Sequence, residues 1–330
     1  MQKSQASAMK QNKTSPQPQK GKPQPQKKYT VEWNKIIAFV LTVCIVFAGA
    51  FGLLLKLHVF ADYEPSELLI EDTDRASNLS SSPAVKNILL IGQDTDSLDT
   101  NSRSDTMLLI SLDVASRKIR LVSFLRDTYC EIPGHEPNKL NAACMFGGPS
   151  LLIETIEYNY HIRIDGCARV GFRLLSILVD VLGGVTIPEI DETEADALYS
   201  GYGIDIEPGE NIRLNGENAL RYCRIRQYQS DFSRTERQRE VLTQLIREFG
   251  VDDIYPLLRA SRILFGRIDC SFSEAELVRI AFQALYCLTG GIEQQHIPAN
   301  GTWWDDTINS QAVLQINWDE NRNILKDYLY

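Results

Sequence analysis

The feature that most constrains the fold is a run of twenty residues, 36–55, without a charged side chain. A helix of this length and apolar character is long enough to cross the hydrocarbon core of a bilayer once. The run is longer than the core of a signal peptide, and it lacks a clear small-residue cleavage site. We therefore predict an uncleaved transmembrane helix at residues 36–56, with a buried helix of a soluble domain as the alternative.

Charges on the two sides of this run predict its orientation. Lysines are frequent before the run and end at Lys35, whereas Asp62, Glu64 and Glu67 follow soon after it. The positive-inside rule keeps the lysine-rich side in the cytoplasm. The sequence therefore predicts a single-pass protein of the cell membrane, with a cytoplasmic N-terminus and an extracytoplasmic main domain.

Composition divides the rest of the chain. The first thirty residues contain seven Lys, seven Gln, four Pro and no acidic residue, which predicts a disordered basic cytoplasmic tail over residues 1–35. A serine-rich segment closes residues 57–85, which we interpret as a stalk. The 245 residues that follow suffice for one domain with its own core. We divide this domain into a main part, 86–250, and a helical C-terminal part, 251–330.

Six cysteines lie beyond the predicted span: Cys130, Cys144, Cys167, Cys223, Cys270 and Cys287. Export permits disulfides, but six cysteines allow fifteen pairings among which the sequence does not choose. In a domain of this size, cysteines are also common as buried free thiols. Both alternatives stay open.

An arginine cluster occupies residues 221–239, with six arginines in nineteen residues. After Lys35 the chain carries 26 Lys and Arg against 42 Asp and Glu, and this acidic surrounding opposes diffuse attraction to nucleic acid. Arginine's planar group suits a phosphate or carboxylate bound through two parallel hydrogen bonds. The cluster therefore predicts a local anion site. The alternative is a structural network in which Asp231 and Glu236 pair with the arginines.

Spacing within the cluster predicts where its side chains point. Arg224 and Arg226 are two residues apart, so in an extended chain both project from the same face. A capping-box pattern predicts a helix that begins after Ser233. At 100° per residue, Arg234 and Gln238 fall on the apolar face of that helix. We therefore expect one arginine and one glutamine to face inward.

Three short apolar segments predict strands: residues 87–91, 106–112 and 119–124. If they pair as an antiparallel meander, the end of the first, the start of the second and the end of the third share one edge. Four charged residues would then lie at that edge: Asp94, Arg103, Asp105 and Arg126. Two carboxylates beside two arginines suit a magnesium ion and a phosphate. The alternative is ordinary turn chemistry, because Asp favours loops.

Later segments complete the fold prediction. Helices are expected at residues 150–158, 172–182, 217–222, 254–264 and 274–288, with a strand at 185–187 and a loop at 209–216. Strands interleaved with helices predict an α/β fold, a three-layer α-β-α sandwich with a mixed central sheet. The sequence lacks a Gly-x-Ser-x-Gly elbow, a P-loop and a clustered zinc pattern.

Several motifs resemble one family when they are taken together. They are SRSDTM at 102–107, RDT at 126–128, KLNAA at 139–143 with Gly147 and Gly148, VDVLGGV at 179–185, LNGENAL at 214–220, RIR at 224–226 and DFSRTERQ at 231–238. In this order they resemble the LytR-CpsA-Psr family, over residues 86–250. The resemblance implies that residues 86–250 form the catalytic domain.

The resemblance implies an extracytoplasmic phosphotransferase. Such an enzyme moves a glycopolymer phosphate, for example teichoic acid or capsule, from a polyprenyl diphosphate carrier to peptidoglycan. By similarity, Asp94 and Asp105 hold Mg²⁺, with Mn²⁺ as the alternative ion. Five arginines bind the diphosphate: Arg103, Arg126, Arg224, Arg226 and Arg234. Gln238 completes the pocket, and Asp231 orients the arginines.

In phosphoryl transfer the protein mainly positions groups and neutralises spreading charge. The catalytic residues implied are Asp105, Arg126, Arg224 and Arg226, and either Asp105 or Asp94 is the predicted base for the acceptor hydroxyl. The expected partners are the lipid-linked glycan, peptidoglycan and the membrane, without nucleic acid. Two alternatives are a polyprenyl pyrophosphatase that uses water as acceptor and a nucleic-acid-binding regulator.

Overall fold

Apolar strands after residue 84 form the centre of the fold in the computed structural model, which describes residues 78–93, 103–225, 231–248 and 268–330. The predicted tail, transmembrane span, most of the stalk and the helix at 254–264 lie outside the described residues, as do Asp94 and Arg226. In the part of the chain that is described, no helix is both long enough and apolar enough to cross a membrane.

The described residues form twelve strands and seven helices. The strands are β1 Val85–Gln93, β2 Thr106–Asp113, β3 Lys118–Phe124, β4 Tyr129–Ile132, β5 His135–Lys139, β6 Gly166–Gly171, β7 Val185–Ile190, β8 Gly209–Leu214, β9 Asp269–Cys270, β10 Ile292–Ile297, β11 Trp303–Ile308 and β12 Gln311–Ile316. The helices are α1 Leu140–Tyr160, α2 Phe172–Val181, α3 Glu192–Tyr202, α4 Gly216–Tyr222, α5 Asp231–Glu248, α6 Glu274–Leu288 and α7 Trp318–Leu329.

The main sheet is mixed and has the strand order β10-β3-β2-β1-β6-β9. Strands β1, β2 and β3 pair antiparallel, so that Leu89 lies opposite Leu109 and Leu109 opposite Val122. This confirms the predicted meander. Strand β6 runs parallel to β1, and β10 runs parallel to β3. The predicted mixed central sheet is therefore confirmed.

Alternating side chains on the central strands pack in two different directions. Leu89, Leu109 and Val122 belong to one buried cluster with residues of α1 and α7. Leu108 and Leu121 belong to another, against α5 and α6. Because a fully buried Leu contributes about 1.5–3 kcal/mol, burial on both faces fixes the strand register. Helices thus cover both faces of the sheet.

One predicted helix start is wrong because a contact with a distant part of the chain extends the helix. Helix α5 begins at Asp231 rather than after Ser233, and Phe232 in its first turn stacks on Trp303. The predicted turn before residue 150 is confirmed, because the backbone of α1 leaves helical geometry at Gly147 and at Gly148, where φ is 70°. The sequence missed only the helical residues 140–146 before that break. The glycine pair and the proline after it read as a turn in the sequence, although the chain is helical on both sides.

The segment 209–216, predicted as a loop, contains strand β8, which pairs antiparallel with β7. Its buried Leu214 packs with Ile187 in a third cluster, so tertiary packing overrides the weak strand propensity of its Gly, Glu and Asn residues. The part after residue 250, predicted as helical, holds strands β9 to β12 beside α6 and α7. These strands are short, and β9 and β10 find their partners far away in sequence.

The last residues of the predicted stalk are attached to the folded domain. The backbone N–H of Ser80 donates to His161 O at 2.8 Å, and Arg163 N–H donates to Ser80 O at 3.0 Å. This pairing satisfies backbone groups at the chain's entry into the domain. The segment from 78 to 85 is therefore part of the domain rather than a free linker.

All six cysteines that the structure describes are buried free thiols. Burial raises the pKa of Cys144 to about 11 and the pKa of Cys167 and Cys223 to about 12. Protonated buried thiols are poor nucleophiles. Of the two alternatives left open by the sequence, the buried-thiol one holds.

Candidate active site

The edge of the sheet where β1 ends and β2 begins carries Asp105. Its backbone N–H donates to Gly92 O at 2.9 Å, and its Oδ1 accepts a hydrogen bond from Arg126 Nη1 at 2.8 Å. Arg126 follows β3, so the meander brings the two residues to one edge as predicted. Each side chain is 23% exposed. The ion pair is thus partly desolvated and still accessible to a ligand.

Helix α5 reaches the same edge from a position about 130 residues later in the chain. Arg234 Nη2 donates to the backbone oxygen of Asp105 at 3.4 Å, and Gln238 Oε1 accepts from Thr106 Oγ1 at 2.9 Å. Arg234 is only 5% exposed, whereas Glu236 is exposed. The predicted inward orientation of Arg234 and Gln238 agrees with these contacts.

Asp127 holds Arg126 from the other side. Arg126 Nε lies 3.5 Å from Asp127 Oδ2, and Lys139 Nζ lies 2.7 Å from Asp127 Oδ1. The backbone oxygen of Arg126 also accepts from Asn141 N–H, at 3.2 Å, in the first turn of α1. Arg126 is therefore oriented by two carboxylates and by the helix that follows. Sequence reasoning missed Asp127 and Lys139, although Asp127 directly follows Arg126.

The other predicted ligand residues lie at the margin of this cluster or outside the described residues. Arg103 is exposed, two residues before Asp105. Arg224 is partly buried in the turn after α4, where its backbone oxygen accepts from Tyr202 Oη at 3.2 Å. Asp231 is the first residue of α5. The binding roles assigned to these residues, and to Asp94 and Arg226, stay predictions.

Two arginines of the cluster have structural partners. Arg237 is buried; its Nη2 donates to Ile225 O at 2.7 Å, and its Nη1 lies 3.3 Å from Glu194 Oε1. Burial raises the pKa of Glu194, and Arg237 acts to lower it. Arg221 forms a surface pair with Glu217 at 2.7 Å. The structural-network alternative thus applies to these two arginines, with partners other than the ones expected. By binding Ile225, Arg237 also fixes the backbone next to Arg224.

The donor set partly fits a magnesium ion. Mg²⁺ uses one or two carboxylates, keeps several waters and shares phosphate oxygens with a substrate. Asp105 supplies one accessible carboxylate beside the arginines. Among the described residues there is no group of three or more His, Cys, Asp or Glu that could hold a metal. The set therefore suits an ion completed by substrate and water rather than a closed protein site.

A family model described as the LytR_cpsA_psr family matches residues 61–327. The chain belongs to the LytR-CpsA-Psr family. This confirms the family indicated by the sequence motifs and, with it, the enzyme class: the chain is a LytR-CpsA-Psr phosphotransferase. The match covers most of the folded domain, including the part after residue 250, for which the sequence motifs gave no indication.

Named relatives agree with this assignment. The chain is 30% identical over 252 residues to the polyisoprenyl-teichoic acid–peptidoglycan teichoic acid transferase TagU of Enterococcus faecalis, covering 73% of this chain and 79% of TagU. It is 28% identical over 245 residues to the regulatory protein MsrR of Staphylococcus aureus, covering 73% of each. The two matches cover comparable lengths of this chain.

Solved structures share the LytR-CpsA-Psr fold. TagT of B. subtilis superposes with a TM-score of 0.62 at 22% identity, covering 81% of this chain and 95% of TagT. A TagT structure with bound octaprenyl pyrophosphate lipid superposes with a TM-score of 0.60 at 22% identity and the same coverage. At this identity the superpositions show that the fold is the same.

Proposed function

We propose that this chain transfers a glycopolymer phosphate from a polyprenyl diphosphate carrier to peptidoglycan, with Mg²⁺ assistance. The observation that carries this proposal is the convergence of Asp105, Arg126 and Arg234 at one edge of the sheet. TagU is named as a transferase of teichoic acid to peptidoglycan, and TagT binds octaprenyl pyrophosphate. Both relatives support a lipid-linked glycan as the donor.

The arginines supply the binding energy for the diphosphate. Arg126 Nη1 and Arg234 Nη2 both point to the immediate surroundings of Asp105. A charge-assisted hydrogen bond contributes about 1.5–3 kcal/mol, and it is stronger where water is largely excluded, as at the buried Arg234. Arg103, Arg224 and Arg226 are the further diphosphate ligands in this proposal, with Gln238 and Asp231 in support.

The reaction exchanges one phosphorus–oxygen bond for another. An acceptor sugar hydroxyl attacks the phosphorus that carries the glycan, and the bond from that phosphorus to the bridging oxygen breaks. The products are a phosphodiester on the acceptor and a polyprenyl monophosphate. Negative charge spreads over the phosphoryl oxygens during this exchange, where fixed arginine donors stabilise it. The hydroxyl proton passes to a carboxylate, Asp105 or Asp94.

Asp105, together with Asp94, would hold Mg²⁺ in this proposal. When bound, the ion neutralises charge on the diphosphate oxygens. Asp105 lies against Arg126, so this carboxylate also keeps an arginine directed at the position of the diphosphate before substrate arrives. Such preorganisation lowers the cost of ordering the site on binding.

In this proposal, the cellular location of the protein follows from the apolar run and the charges that flank it. Residues 36–56 anchor the chain in the cell membrane, and the domain lies on the outer side, beside the lipid carrier and peptidoglycan. The acidic surroundings of the arginine cluster oppose the regulator alternative. We expect a membrane-impermeant label applied outside intact cells to react with the carboxyl terminus.

A product analysis tests the reaction. The full-length protein in detergent is incubated with Mg²⁺ and a polyprenyl diphosphate-linked glycan, with and without peptidoglycan strands. With peptidoglycan present, we expect release of polyprenyl monophosphate and a polymer joined to peptidoglycan through a phosphodiester. We expect EDTA to abolish the formation of both products. Release of free glycan phosphate at the same rate with and without peptidoglycan identifies a pyrophosphatase instead. If no lipid monophosphate forms, the proposed function is wrong.

A further inference from the structure

A cavity of about 600 Å³ lies beside the arginine site and has no role in the proposal above. Its walls come from the loop after β3, helix α5, the end of β10 and the hairpin β11–β12. Its volume is in the range of small-molecule sites. The hairpin pairs its own two strands and contacts the rest of the domain at Thr128, which bridges to Leu314. The cavity is therefore built by the C-terminal part of the chain against the predicted catalytic part.

Arg239 lies in the wall of this cavity with its charge buried. The residue is 6% exposed, and within the described residues neither its Nε nor its Nη1 has a hydrogen-bond partner. Burial lowers the pKa of its guanidinium, and the nearby Glu236 carboxylate acts in the opposite direction. Buried polar groups are normally satisfied, and a buried cation is costly unless it is compensated. A ligand that brings oxygen acceptors to this end of the cavity would provide that compensation.

The rest of the wall combines an aromatic face with hydrogen-bond acceptors. Trp303 stacks on Phe232, with ring centroids 4.7 Å apart and an interplanar angle of 28°. Three carboxylates and an amide also line the cavity: Asp127, Glu236, Asp305 and Asn300. The lining thus holds more carboxylates than arginines, Arg239 being its arginine, and an excess of negative charge disfavours a phosphate because like charges repel at close range. A neutral sugar fits, since its hydroxyls donate to carboxylates and accept from arginine, and its C–H face packs on an aromatic ring.

The cavity and the candidate active site share a wall at Asp127. One of its carboxylate oxygens lies 3.5 Å from Arg126 Nε, and its backbone oxygen accepts a hydrogen bond from Leu314 N–H of the hairpin at 2.9 Å. Glu236 lies on α5 between Arg234 and Gln238, which reach the active-site edge. A sugar in the cavity is therefore next to the arginine that holds the diphosphate.

We infer that this cavity binds a sugar ring of the acceptor glycan and presents a neighbouring hydroxyl to the diphosphate. The inference rests on the proposed function for the identity of the acceptor. Side chains on one face of strand β11 line the cavity, namely Trp303 and Asp305. Trp304 and Asp306 are exposed and lie on the opposite face, because successive side chains of a strand alternate between its two faces. This alternation supplies matched pairs of variants.

Binding of a soluble, uncrosslinked peptidoglycan strand to the full-length protein tests this inference. Asp305→Ala removes an exposed carboxylate that accepts hydroxyl hydrogen bonds, so we expect the Kd for the strand to rise at least about tenfold. Asp306→Ala changes the same side-chain type on the opposite side of β11 and is expected to leave the Kd unchanged. Isothermal titration calorimetry in one detergent compares the three proteins.

The outcomes separate the cavity from the reaction. Equal Kd values for Asp305→Ala and Asp306→Ala, or no strand binding by the unchanged protein, overturn the cavity assignment. Polymer transfer with an unaltered acceptor KM in Asp305→Ala rejects the cavity and keeps the proposed reaction. Strand binding that is weakened by Asp305→Ala, in a protein that transfers no polymer, rejects the reaction and keeps the sugar site.

Discussion

Replacing Arg126 by alanine is expected to lower polymer transfer by about 10³-fold or more, without unfolding the domain. An arginine that stabilises a phosphoryl-transfer transition state contributes about 10³–10⁵ in rate. Arg126 also pairs with Asp105 at 2.8 Å, so its removal leaves that carboxylate repelling the diphosphate, whereas Asp127 keeps Lys139 at 2.7 Å. The rate of polyprenyl monophosphate release, with Mg²⁺ and peptidoglycan present, is the measurement.

Arg221→Ala is the matched control for this prediction. Arg221 belongs to the same arginine cluster, but it forms a surface pair with Glu217 and lies over the ring of Tyr202. Its loss should leave transfer within about twofold, because surface pairs contribute little. The thermal melting temperatures of both variants check the fold. If Arg126→Ala transferred polymer as fast as Arg221→Ala, the sheet edge could not be the phosphate site.

Replacing Arg237 by alanine is expected to destabilise the domain by about 3 kcal/mol or more. The variant leaves Glu194 in a largely buried position without its cation, and it removes the donor that holds Ile225 O at 2.7 Å. Removing one member of a buried pair leaves an uncompensated charge, which is worse than removing both. Urea unfolding of the purified protein, monitored by tryptophan fluorescence, measures the change in the free energy of unfolding.

A second variant makes this prediction specific to the pair. Adding Glu194→Gln to Arg237→Ala removes the unpaired charge, so we expect the double variant to recover part of the lost stability. Arg247→Ala, at an exposed position near the end of the same helix, should change stability by about 0.5 kcal/mol or less. A loss of stability in Arg237→Ala no larger than in Arg247→Ala would show that the buried pair contributes nothing.

The sequence predicts the central part of the site because local geometry determines it. Alternating apolar residues specify β1, β2 and β3, and an antiparallel meander then places Asp105 and Arg126 at one edge. Helical periodicity likewise directs Arg234 and Gln238 inward. These predictions need only the period of each element and the short connections between neighbouring strands.

Other features depend on partners that are distant in the chain. Arg237 and Arg234 lie on one helix, three residues apart, yet one pairs with Glu194 and the other approaches Asp105. No spacing rule assigns Glu194, which precedes Arg237 by 43 residues. Strand β8 likewise becomes a strand through pairing with β7. Residue spacing therefore predicts an arginine site, but it does not identify the distant carboxylate that pairs with a structural arginine such as Arg237.

The cavity formed by the C-terminal part likewise depends on contacts between segments that are distant in the chain. The sequence alone gives no role to Trp303, Trp304, Asp305 and Asp306. Their positions matter only because the hairpin packs beside the loop after β3, where Thr128 bridges to Leu314. The hydrogen bond from Leu314 N–H to Asp127 O places this hairpin beside Arg126 of the candidate active site. A cavity formed by segments nearly two hundred residues apart has no local signature in the sequence, which explains why sequence reasoning gave these residues no role.

A crystal structure of the full-length protein with a short polyprenyl diphosphate tests the central claim most directly. We predict diphosphate oxygens about 3 Å from Arg126 Nη1 and Arg234 Nη2, at the edge where Asp105 follows the end of β1. A diphosphate bound elsewhere on the domain, with neither arginine within hydrogen-bond distance of it, would contradict the account.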